Sequence, residues 1–179
     1  MPEPELLQQA NFISDPDALY QTLVSEVSWE EHIKARKTAS FGEAYNYSRI
    51  TYDVKPMHPL LVPIVDKLEQ IIGFRPNNCL LNFYEGGDSS MGYHSDSTEE
   101  LAHGTGVAIV SLGAKRNITF RSIVDSEEKY HYPLQSGSLL YMSQQIQHEW
   151  KHAILKQPEA GGRISLTFRQ LNPPAAQSG

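Results

Sequence analysis

Residues 162–170 read GRISLTFRQ, and the alternation in that stretch governs how the rest of the chain is read. Ile164, Leu166 and Phe168 fall on one parity; Arg163, Ser165, Thr167 and Arg169 fall on the other. A period of two marks a β-strand whose two faces meet different surroundings. The ordinary reading of such a polar face is solvent. Two neighbouring segments weigh against it, because their polar parity also carries chemistry. In CLLNFY (79–84), Asn82 and Tyr84 share a face opposite Leu81 and Phe83, and in MGYHSD (91–96), His94 and Asp96 point the same way.

Further β-like runs lie between these segments: GVAIVSL (106–112), RNITFRS (116–122), KYHYPL (129–134) and GSLLYM (137–142), divided by Gly, Asp, Ser and Pro clusters. Upstream the period is helical. SDPDALYQTLVSEVSW (14–29) offers Ser14 or Asp15 as N-cap, Pro16 in the first turn, and Leu19, Leu23 and Val27 at four-residue intervals. PLLVPIVDKLEQIIG (59–73) repeats its apolar residues at helical spacing and closes on Gly73. Helices followed by about seven or eight strands predict an α+β fold whose second part is an antiparallel sandwich or barrel.

The chain has 179 residues, with 40% hydrophobic and 20% charged, which suits one domain over residues 1–172. The polar, Pro-rich residues 173–179 are expected to be disordered. No apolar run approaches the ~18 residues of a membrane helix, and MPEPELLQQ lacks the basic start of a signal peptide. With Cys79 as the lone cysteine, the expectation is a cytoplasmic monomer away from membranes, nuclear placement being open in a eukaryote. A net charge of −6 argues against a protein that holds nucleic acid by bulk charge alone. The acids are concentrated, however: residues 1–33 contain no Lys or Arg. Lys34, Arg36, Lys37 and Arg49 would begin a local basic surface.

His-x-Asp on a strand sets an imidazole beside a carboxylate. One more downstream histidine would complete a 2-His-1-carboxylate triad, which binds Fe(II) and leaves adjacent coordination positions open for oxygen. His148, His152 and, less directly, His131 are candidates, and spacing alone does not choose among them. Arg163 and Arg169, on one face of one strand, are placed to grip the two ends of a small diacid, because a guanidinium matches a carboxylate bidentately and keeps its charge when buried. Asn82, Tyr84, Ser165 and Thr167 would add polar contacts if these faces line one cavity.

From Lys37 to Gln170 the chain resembles the AlkB family of Fe(II)/2-oxoglutarate dioxygenases, most closely its subgroup that repairs N-alkylated bases in DNA and RNA. The resemblance is carried by TASFGEAYNYSRITY (38–52), NFYEGGDSSMGYHSD (82–96), IVSLGAKRNITFR (109–121), GSLLYM (137–142), HEWKHA (148–153) and GRISLTFRQ (162–170), in that order. It implies a double-stranded β-helix, or jelly roll, with N-terminal helices packed on it. It also implies His94, Asp96 and His152 as iron ligands, His152 being preferred because Trp150-Lys151-His152 resembles the family's Trp-x-His. By the same likeness, 2-oxoglutarate is held at its keto acid end by Arg169 and Asn82 and at its far carboxylate by Arg163 and Tyr84, with Ser165 and Thr167 nearby.

The implied reaction converts dioxygen and 2-oxoglutarate to succinate and carbon dioxide while oxidising an N-methyl group, which leaves as formaldehyde. Substrates of the 1-methyladenine and 3-methylcytosine type must be single-stranded or flipped out to reach a buried iron. Residues 34–52 resemble the family's nucleotide-recognition lid, with Tyr47 stacking on the base opposite His94, and with Phe41, Tyr45 and Arg49 as further contacts. One position departs from the pattern: Thr98 stands two residues after Asp96, where repair members carry an acid. The acidic balance and Thr98 favour one alternative, a dioxygenase of proteins or small metabolites; a second, from another class, is an inactive metal-binding interaction module on the same fold.

Overall fold

A computed structural model describes residues 3–47 and 50–172, Tyr47 in its backbone alone. The elements run β1 (Leu6–Gln9), α1 (Pro16–Glu26), β2 (Glu30–Ile33), β3 (Arg36–Gly42), β4 (Tyr45–Tyr47), β5 (Ile50–Tyr52), α2 (Val62–Ile72), β6 (Asn78–Tyr84), β7 (Met91–His94), β8 (Val107–Gly113), β9 (Arg116–Ser122), β10 (Lys129–Leu134), β11 (Leu139–Met142), α3 (Gln144–Glu149), β12 (Trp150–Ile154) and β13 (Arg163–Arg169). Both expected helices form. The Asp15 carboxylate accepts from Ala18 N to start α1, and Gly73, at φ +82°, ends α2 in the left-handed conformation that glycine adopts without strain.

Strands β1-β11-β8-β13-β6-β3-β2 form a seven-stranded sheet, and β10-β9-β12-β7 form a four-stranded sheet. The two make the jelly roll of an α+β domain. Strands are not confined to the second half of the chain, as the helical-then-β reading expected. Arg36–Gly42 is an inner strand paired with β6, so only the hairpin β4–β5 stands apart from the sheets within residues 34–52. The segment around Ser48 and Arg49 and the tail 173–179 lie outside the described residues.

Each long strand of the larger sheet feeds two different interiors. Leu81 of β6, Val110 and Leu112 of β8 and Ile164, Leu166 and Phe168 of β13 are buried against Leu23 of α1 and Ile64, Val65 and Leu68 of α2. The opposite parity faces the smaller sheet, where Leu80, Tyr84, Ile109, Ile118, Phe120 and Trp150 form a second cluster. Every residue of β13 is therefore buried, including its polar face.

Candidate active site

The polar parity of β13 lies between the two sheets, in register with that of β6: Arg163 stands opposite Tyr84, and Ser165 opposite Asn82. Asn82, Tyr84, Arg163, Ser165, Thr167 and Arg169 line one cavity together with His94, Asp96 and His152. All nine residues expected at the iron and cosubstrate positions thus converge. His148 is exposed on α3, and His131 is exposed on β10 with its Nδ1 2.8 Å from Thr119 Oγ1.

His94 ends β7, and His152 of β12 is its direct cross-strand partner. Asp96 lies just past the strand, its backbone N–H donating to Gln147 Oε1 at 2.7 Å. Asp96 Oδ1 is 3.4 Å from His94 Nε2 and 3.9 Å from His152 Nε2, and one donor atom from each residue falls within 4.8 Å of the others. Two imidazoles and a carboxylate spaced in this way suit a divalent ion that takes its ligands at ~2.0–2.2 Å. His94 Nδ1 sits 2.8 Å from the Gly92 carbonyl, the acceptor that a ring binding a metal through Nε2 needs behind it.

The protonation states are equally suited. Burial disfavours charge on His152 and, despite the opposing Asp96 carboxylate, holds its pKa down at about 4, so the ring is neutral at physiological pH. Burial alone would raise Asp96. The Arg169 guanidinium, whose Nη2 lies 3.3 Å from Oδ2, and the two histidines outweigh that effect and hold the carboxyl well below the usual carboxylate range.

At the other end of the cavity, Arg163 is fully buried. Its Nη2 donates to Ser111 Oγ at 3.0 Å, while Nε and Nη1 have no hydrogen-bond partner. Among the described residues no carboxylate lies within 4 Å of it. Burial lowers its pKa despite the nearby Tyr84 hydroxyl. A desolvated guanidinium without a counter-charge is costly unless an anion completes it. The donor set therefore fits a carboxylate at this end and a divalent metal at the other.

Sequence reasoning missed three contributors. Arg36, counted only as a basic surface residue, is buried and donates from Nε to Asn82 Oδ1 at 2.8 Å. Gln147, inside the unforeseen helix α3, fixes the Asp96 backbone. Arg116, almost wholly buried, donates from Nη2 to the Ser89 and Leu155 carbonyls beside Tyr84. Arg36 shares its parity with Thr38 and Ser40, which was the available signal; Gln147 and Arg116 had none.

Outside the metal cluster lies a recess of about 500 Å³ lined by Arg36, Tyr45, Asn46, Tyr93, His94 and Asp96 among others. Tyr45 is buried in the hairpin, its ring 4.6 Å from the Arg169 guanidinium. Tyr47 falls on β4, but its side chain, like Arg49, is outside the described residues. Phe41 is not at the recess. Its parity in β3 turns it to the helix-facing core, edge-on to His58 at 5.4 Å, which corrects its expected role as a base contact. Thr98 is half-buried in the turn that follows Asp96; the neighbouring acid Glu100 is the one that reaches the hairpin, accepting from Asn46 Nδ2 at 3.4 Å.

A jelly roll with a 2-His-1-carboxylate grouping between its sheets, and buried cations beside it, defines the class of mononuclear metal-dependent oxygenases. The sequence comparisons agree. Residues 5–169 match the model of the 2OG-Fe(II) oxygenase superfamily. The human DNA oxidative demethylase ALKBH2 is 32% identical over 182 residues, covering 88% of this chain and 69% of that protein. The Bos taurus alpha-ketoglutarate-dependent dioxygenase alkB homolog 3 is 30% identical over 181 residues, and the match spans 90% of this chain but 63% of that protein's length. The solved structure of OsALKBH1 superposes with a TM-score of 0.71 at 16% identity, covering 95% of this chain and 100% of that one. This chain belongs to the AlkB family within the 2OG-Fe(II) oxygenases, enzymes that use Fe(II), 2-oxoglutarate and dioxygen. Among the described residues, no helix is long and apolar enough to cross a membrane.

Proposed function

We propose that this protein is an oxidative demethylase of N-alkylated bases in nucleic acid. The observation that carries the reading is the recess opening directly onto His94 and Asp96, roomy enough for a flipped nucleotide and walled on one side by the β4–β5 hairpin. The names of the relatives, a DNA oxidative demethylase among them, support the same reading.

In this mechanism His94, Asp96 and His152 hold Fe(II), which with 2-oxoglutarate and dioxygen supplies the oxidant for an N-methyl group. Arg163 and Tyr84 take the far carboxylate of 2-oxoglutarate, Asn82 and Arg169 its keto acid end, and Ser165 and Thr167 the space between. Arg36 acts through Asn82. By occupying its oxygen it turns the amide N–H₂ towards the cavity, the polarity an anionic cosubstrate requires. The buried apolar walls, Leu80, Ile109, Ile118 and Ile154, keep water from the reacting centre. On the substrate side, Tyr47 is the proposed stacking partner of the base, with Arg49 and Thr98 as further proposed contacts, and Glu100 is joined to the hairpin through Asn46.

The test is incubation with Fe(II), ascorbate, 2-oxoglutarate and oligonucleotides bearing 1-methyladenine or 3-methylcytosine, followed by mass spectrometry. A loss of about 14 mass units with one formaldehyde per turnover is expected. Succinate production with no mass change on any oligonucleotide would reject the nucleic-acid substrate while leaving the oxygenase class intact.

A further inference from the structure

The outer face of the four-stranded sheet carries a row of positive charge that neither the iron nor the cosubstrate positions use. Lys129 of β10 stands directly opposite Arg121 of β9, and Arg121 directly opposite Lys151 of β12. Their neighbours Phe120 and His152 point inward, so parity turns all three cations outward; Lys129 and Lys151 are exposed and Arg121 half-exposed. Like charges in directly opposed positions stand about 5 Å apart and destabilise a sheet. Relief by nearby acids would be the usual remedy. Among the described residues, however, no carboxylate lies within 4 Å of any of the three. Two of the three acids of the β9–β10 turn are engaged elsewhere: Asp125 Oδ1 accepts from Glu127 N, and Glu128 Oε1 from the Tyr130 hydroxyl.

The row also has a direction. The Arg121 guanidinium lies over the Tyr93 ring, 3.9 Å from its centroid. Tyr93 belongs to β7, at the open edge of the same sheet, and lines the recess that holds His94 and Asp96. Three cations on successive strands therefore lead across the sheet to the mouth of the site. On a chain of net charge −6, such a row is not part of a generally basic surface.

The geometry points to a phosphodiester track: Lys129, Arg121 and Lys151 hold consecutive phosphates of a single nucleic-acid strand and deliver the adjoining nucleotide past Tyr93 into the recess. This rests on the nucleic-acid reading above and adds to it the path of the strand. It also predicts strandedness, since a row about two strand spacings wide, roughly 10 Å, follows one backbone and does not embrace a duplex. With only three contacts, binding depends weakly on salt, with a slope of roughly −2 in log K against log salt.

The test uses the full chain and a fluorescein-labelled single-stranded oligonucleotide bearing one 1-methyladenine, read by anisotropy from low to moderate salt, with demethylation followed in parallel. Lys129→Ala with Lys151→Ala should weaken binding and flatten the slope by roughly 0.7 per lysine. The oligonucleotide KM should rise, while kcat and 2-oxoglutarate affinity stay unchanged. Lys129→Arg with Lys151→Arg should restore the slope. Unchanged slope and KM in the alanine variant, with wild-type demethylation intact, would overturn the track and leave the demethylase reading standing. Failure of the wild-type protein both to bind and to demethylate would overturn both. If the same lysines instead govern retention on phosphatidylserine vesicles, without effect on the oligonucleotide, the row belongs to a membrane surface and the proposal fails.

Discussion

The two interiors of this domain share strands yet obey different rules. On the helix side of β13, Ile164, Leu166 and Phe168 meet α1 and α2 in an apolar cluster. On the other side, one residue away, Arg163, Ser165, Thr167 and Arg169 occupy a cavity between sheets where charge is buried without full compensation. The first interior supplies stability through area removed from water. The second gives some of it up, because the desolvated Arg163 guanidinium, with two nitrogens lacking a partner, costs free energy that a bound carboxylate would offset. The lesson is that a single strand can carry scaffold and site at once, provided their residues alternate.

Substitutions on the two faces should separate these roles. The largest effect belongs to the cavity: His94→Ala or Asp96→Ala should abolish succinate formation in protein supplied with Fe(II), and full turnover by either variant would dismiss the iron assignment. Leu166→Ala, on the apolar side, should do the reverse. It should cost about 2–5 kcal/mol of unfolding free energy, seen as a lowered denaturation midpoint, with the KM for 2-oxoglutarate of the folded protein unchanged. Arg163→Met sharpens the contrast, since it removes a buried charge with two unpartnered nitrogens. Stability without cosubstrate should hold or rise, while the KM for 2-oxoglutarate increases at least tenfold; a loss of stability comparable to that of Leu166→Ala would erase the distinction.

Acid should also act on one interior alone. His152 has a folded-state pKa of about 4 against an ordinary 6.5, so the unfolded chain binds the extra proton between those values. The stability contributed by its neutral form is complete above about pH 6.5 and is lost as pH falls towards 4, on the order of 3 kcal/mol for the metal-free protein. Urea midpoints across that window should show it, and His152→Gln should remove most of the slope. The smallest effect is expected at Arg36→Lys, which loses the bond to Asn82 Oδ1 and should raise the KM for 2-oxoglutarate a few-fold with kcat held.

Much of this comparison was legible in the sequence. The parity of GRISLTFRQ separates scaffold from site residue by residue, and the same rule finds Asn82 and Tyr84 on β6. Both helices could be read because their apolar spacing and end residues agree. Strands β2, β4 and β5 could not, since EEHI, YNY and ITY are too short to show a period and are held by pairing with partners elsewhere in the chain. Arg36 shows why buried cations escape notice: its composition is that of a surface residue, and only the approach of Asn82, forty-six positions away, makes it part of the site. Asp96 was expected on a strand with His94; instead the strand ends at His94, and Gln147 of a helix without an apolar period holds the following backbone in place.

The pairing of His94 with His152 has a mechanical consequence. β7 is four residues long, sits at the sheet's edge, and joins it through β12 alone, with a register irregularity between His152 and Ile154. An ion bound to both imidazoles would rivet that border strand to its neighbour at the very rim where substrate enters. Iron loading should therefore slow amide hydrogen exchange along residues 91–94, so that starvation for the metal loosens the doorway as well as stopping the reaction.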